Sequence, residues 1–178
     1  MLRPVLVPFV ALTLLAGLVT SPLPAIAATS SAGTVAPPAT ADAGEWEWPV
    51  RTFRLVAPYV QPADRYSAGH RGLDLEPIDD RQIGAPASGV IAFAGTVADR
   101  PLITIDHGRG LVTTLEPVSA RVEVGTPVIR GEAVGELAVG GHAAPGALHF
   151  GVRYEGEYIN PLVLLGGVPR AVLLPCCD

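Results

Sequence analysis

Lysine is absent from this 178-residue chain: all 12 of its basic residues are arginines, set against 17 acids. A domain whose work depends on a covalently modified lysine is thereby excluded. Cysteine is almost absent too, and the two present, Cys176 and Cys177, are adjacent at the very end. Neighbouring cysteines rarely close on each other because the small ring is strained, so no internal disulfide framework holds the fold. The pair reads either as part of a disordered tail or, in an oxidising space, as a site of intermolecular bridging or capping. Positive charge is short as well. The net charge of −5 becomes −6 without Arg3, the only charge in residues 1–27. Such a chain has no basic grip on nucleic acid, and a neutral peptide suits it better as a ligand than a phosphate polymer.

Sustained helical periodicity is also missing. Between Trp48 and Leu165 the chain runs in short alternating or apolar stretches: Val50–Leu55, Gly89–Ala94, Leu102–Ile105, Leu111–Leu115, Arg121–Val124, Ala133–Ala138 and Leu148–Tyr154. Each is bounded by Gly, Pro or Asp, which predicts one all-β domain, an antiparallel sandwich or barrel-like fold over residues 46–168. Gly125, Gly131 and Gly135 are expected at turns. Trp46-Glu47-Trp48-Pro49 reads as an edge strand packed on the domain, with a peptide-binding aromatic clamp as the alternative.

The one long apolar run lies at the start. Residues 1–27 carry Arg3, an apolar stretch from Pro4 to Val19, and Ala25-Ile26-Ala27 as a small-residue cleavage site. This is the pattern of a secretory signal peptide cut before Ala28, giving a secreted or wall-associated protein with no stable membrane span after cleavage, with an uncleaved anchor as the alternative. Residues 28–45 are rich in Ala, Thr, Ser and Pro and read as a flexible linker; residues 169–178 read as a tail.

Against this background three residues stand out: His70 and Asp74 in Gly69-His70-Arg71-Gly72-Leu73-Asp74, and His149 in Leu148-His149-Phe150. Imidazole and carboxylate suit Zn²⁺, and a catalytic zinc takes three protein ligands with a fourth position left to water. On an extended segment, residues at i and i+4 share a side, so His70 and Asp74 can face one ion. Gly72 between them leaves room for it. The spacing alone fits equally a His/Asp hydrogen bond in a turn.

The stretch from Tyr66 to Gly166 resembles the LytM/lysostaphin-type zinc endopeptidases that cut peptidoglycan cross-bridges. The resemblance is carried by Gly69–Asp74, Gly84-Ala85-Pro86-Ala87-Ser88-Gly89, Ile105-Asp106-His107-Gly108, Val124–Gly135, Leu148-His149-Phe150-Gly151 and Tyr158-Ile159-Asn160-Pro161. It implies zinc as cofactor, His70, Asp74 and His149 as its ligands, and wall peptides as partners or substrates. The run around Val124–Gly135 is also similar to a hairpin of biotinyl and lipoyl carrier domains, a reading the missing lysine removes.

The chain departs from the family pattern at two catalytic histidines. Ala147 stands two residues before His149, where the family's His-x-His has its first histidine. Pro117 stands where a Tyr-x-His-Leu motif has its histidine. Those side chains orient water and stabilise the oxyanion. Two substitutes are at hand. Glu116 offers a general base, unless it faces solvent as the neighbour of an inward residue on a strand. His142, in a glycine-rich loop close in sequence to His149, offers an imidazole, unless it is simply an exposed loop residue. His107 ends an apolar run and reads as structural. Two functions therefore follow: a secreted zinc endopeptidase with replaced acid/base groups, or an inactive relative that binds peptidoglycan or regulates another cell-wall hydrolase.

Overall fold

The computed structural model describes residues 45–64, 66–141 and 143–166. The expected signal peptide, the linker up to residue 44 and the tail with Cys176 and Cys177 lie outside the described residues, and so does His142. What is described is built from strands, as the short alternating runs require. They are β1 (Phe53–Ala57), β2 (Leu73–Pro77), β3 (Gln82–Gly84), β4 (Gly89–Val97), β5 (Arg100–Asp106), β6 (Leu111–Glu116), β7 (Val118–Ala120), β8 (Pro127–Val128), β9 (Ala133–Leu137), β10 (Leu148–Tyr154) and β11 (Glu157–Ile159). A 3-10 turn at Pro161–Val163 follows, and among the described residues no helix is long and apolar enough to cross a membrane.

An antiparallel sheet of 8 strands runs in the order β1-β2-β10-β6-β5-β4-β8, with β11 also beside β10. It is open, not closed into a barrel. β3, β9 and β7 form a second sheet of 3 strands. Alternation decides which side chains meet between them. Leu73 and Leu75 of β2, Leu148 and Phe150 of β10, Leu115 of β6 and Ile103 of β5 are fully buried, and they join Ile83, Val118 and Val134 in one apolar cluster. Burying each such side chain contributes roughly 1.5–3 kcal/mol. The intervening residues of the large sheet take the other face. There the register sets a row across three strands, because His149 of β10 pairs with Asp74 of β2 on one side and with Glu116 of β6 on the other.

Several local expectations need correction. Residues 46–49 form no strand: Glu47 N–H makes one backbone bond to Pro86, while Trp46 is buried edge-on to His107 with ring centroids 4.7 Å apart. Burial of the indole, with no ladder of bonds, docks this segment. Arg121–Val124 is likewise no strand but leads through a bend into a turn closed by Thr126 N–H to Glu123 O, which Gly125 N–H ties to Ile91 O of β4. Gly135 lies inside β9, not in a turn, and is needed because a Cβ there would sit 2.5 Å from Ser119 O on β7.

Candidate metal centre

His70 lies just before β2, held by an isolated bridge to Val60, while Asp74 and His149 are each the second residue of a paired strand. Their functional atoms converge. His70 Nε2 is 3.0 Å and His149 Nδ1 is 2.8 Å from the same oxygen, Asp74 Oδ1, and the two rings stand 5.0 Å apart. One ligand atom from each residue lies within 4.8 Å of the others. The cluster is more than a turn hydrogen bond, because two imidazoles from distant segments aim nitrogen at one carboxylate. Two nitrogens and an oxygen are a donor set that suits zinc, with a fourth position left over.

The surroundings fix this geometry. His70 Nδ1 lies 2.7 Å from Pro58 O, and a ring N–H donated there fixes the ring with Nε2 turned toward Asp74. Burial pushes the Asp74 carboxyl up, but the hydrogen bond and charge of His149, with those of His70, outweigh it and hold the pKa below its ordinary value. Gly72 provides the clearance expected of it, against a ligand ring: a Cβ there would lie 2.7 Å from His149 Nε2 and 2.6 Å from Phe150 O.

Ala147 is buried and bears no group that moves a proton. Glu116 does not face solvent. It is 5% exposed, on the same face as Asp74 and His149, and its Oε2 accepts from Arg100 Nε at 2.9 Å. β6 ends at Glu116, so Pro117 does not continue its alternation, and the register with β10 decides where this carboxylate points. Sequence reasoning missed Arg100. Parity finds it only once the register is known: Ile103 pairs with Leu115, so Leu102 stands opposite Glu116 and Arg100 shares its face. His107 is structural, as expected. Its Nδ1 lies 3.0 Å from Ser88 O and its Nε2 2.8 Å from Thr113 Oγ1, and burial pushes its pKa below the usual value.

A two-sheet antiparallel domain in which Asp74 and His149 on adjacent strands meet His70 just before β2 is metallopeptidase-like. Residues 68–161 match the model of peptidase family M23, and the chain belongs to that family. It is 37% identical over 141 residues to Uncharacterized protein Rv2891 of Mycobacterium tuberculosis, covering 75% of this chain and 57% of that protein. The chain thus spans little more than half the length of the curated relatives it matches. Its fold is similar to the catalytic domain of the antimicrobial peptidase lysostaphin from Staphylococcus simulans, with TM-score 0.55, 20% identity, and coverage of 64% of this chain and 92% of that one. It is also similar to a zinc containing peptidase from Vibrio cholerae, with TM-score 0.55, 17% identity, and coverage of 66% and 38%.

Proposed function

We propose that this domain is an exported, zinc-dependent hydrolase of peptidoglycan cross-bridge peptides in which Glu116 takes the acid/base role left by the missing histidines. The observation that carries this reading is the row of Asp74, His149 and Glu116 across β2, β10 and β6, with His70 closing the cluster. His70, Asp74 and His149 would hold the zinc, which when bound would supply a Lewis acid for a peptide carbonyl. The chain's own groups do the rest. Pro58 O orients the His70 ring, buried β2 and β10 hold Asp74 and His149 rigid, and the Glu116 carboxylate receives a proton from the attacking water and returns it to the leaving amine. Family membership supports a wall peptide as substrate. The apolar run of residues 1–27 supports export.

The test is direct. The purified chain with zinc, incubated with peptidoglycan, should release new amino termini, and a chelator should stop the release. No new amino termini at saturating zinc would overturn the reading. Ala147 and Pro117 favour a second one, in which the domain holds wall peptide or regulates a wall hydrolase without cutting. Tight binding to peptidoglycan with no release would select it.

A further inference from the structure

Arg54, Arg100, Arg121 and Arg130 each pair with a glutamate, whereas among the described residues no carboxylate pairs with Arg153. Its Nε is buried and lacks any hydrogen-bond partner. A covered N–H on a charged group is costly to leave without an acceptor, and its retention calls for a physical reason. The residue as a whole is only part-buried, so an acceptor from solution can reach its fork.

The place of Arg153 in the sheet supplies the reason. His149, Gly151 and Arg153 alternate along β10 and so share the face that carries the metal cluster. At about 3.3 Å per residue, the Arg153 Cα stands roughly 13 Å along the strand from that of His149. Tyr158 of β11 pairs with Arg153 and fills the interval. A Cβ on Gly151 would lie 3.6 Å from Tyr158 Cε1 and 3.5 Å from His149 Nε2, so the missing side chain lets the two rings approach each other. The Arg153 Cζ lies 5.9 Å from the centre of the Tyr158 ring, close enough for the ring face to hold the guanidinium. From His149 through Tyr158 to Arg153 the tract is continuous.

We infer that Arg153 is a specificity-determining residue whose guanidinium takes a free carboxylate of the wall peptide. This rests on the substrate reading above and deepens it. The planar fork of arginine matches a carboxylate with two parallel N–H donors, whereas a carboxamide offers one oxygen and no charge. A single carboxylate on a peptide meets this local fork, while a phosphate polymer meets the repulsion of a chain with net charge −5. An extended peptide rises at the same rate as the strand, which puts the carboxylate within about four residues of the bond to be cut.

The experiment uses the full chain and synthetic cross-linked wall peptides made in pairs, one with free carboxylates and one with carboxamides in their place. Affinity is read by calorimetry on chelated protein, so that nothing is cut, and KM and kcat are read from amino-terminus release with zinc. The unmutated chain is expected to bind the carboxylate form about 10- to 100-fold more tightly, with KM following and kcat unchanged. Arg153→Gln should erase that preference, Arg153→Lys should keep a smaller one, and zinc content should stay the same in both. A merely structural arginine would change stability without moving the ratio between the two peptides. Equal affinity of the unmutated chain for both forms overturns the inference and needs no variant to fold; a folded Arg153→Gln that keeps the full preference overturns it too. The hydrolase reading fails separately: a chain that prefers the carboxylate form and cuts neither supports the inference and refutes cleavage, whereas one that cuts both forms with the same KM refutes the inference and supports cleavage.

Discussion

A carboxylate at the end of β6 matters only if nothing nearby performs its task better. The family resemblance expects histidine at Ala147 and Pro117, and the register brings Glu116 into the metal row instead. Glu116→Ala is expected to lower the rate of amino-terminus release by about 100- to 10,000-fold, the usual range for a general acid/base, with zinc content unchanged. If His142→Ala produces that loss and Glu116→Ala does not, the role belongs to His142. The metal ligands were readable in the sequence because their residue types carry their chemistry and their motifs keep order along the chain. Arg100 was not, because an arginine opening a strand looks like any solvated charge until strand pairing aims it at Glu116.

At the level of elements, the close approach of β2 to β10 builds the site. The turn into β2 passes so near β10 that Gly72 has room for no side chain between Phe150 O and the His149 ring. Gly72→Ala should push the ring aside, weakening zinc binding by about 10- to 100-fold and costing roughly 1–3 kcal/mol of stability. Chelator competition and chemical denaturation check the two effects; unchanged zinc affinity would show that the ring moves freely. The strands that alternate cleanly, β4, β5, β6 and β10, were foreseen from the sequence to within a few residues. β2, β3, β7, β8 and β11 were not, being at most five residues long and defined more by their partners than by their own pattern. Trp46 shows the opposite failure: its alternation with Trp48 looked like a strand, but packing against His107 satisfies it without one.

For the whole molecule, the response to acid lies at His107 and the central claim at the metal cluster. His107, beyond β5, is half-buried against Trp46 and Thr113, and the burial lowers its pKa from the ordinary 6.5. The unfolded chain therefore takes up this proton first. Its contribution to stability is whole above 6.5 and is lost as pH falls from there toward the lowered folded value. Thermal midpoints of the metal-free protein between about pH 8 and pH 5 should fall more steeply than those of His107→Gln, which cannot titrate. Parallel curves would contradict the assignment. The central claim is that His70, Asp74 and His149 form one zinc site. Metal analysis of the washed protein tests it most directly. The account predicts about one zinc per chain, and almost none in Asp74→Ala or His149→Ala, since two remaining ligands hold metal poorly. Stoichiometric zinc in both variants, or none in the unmutated chain, would contradict it.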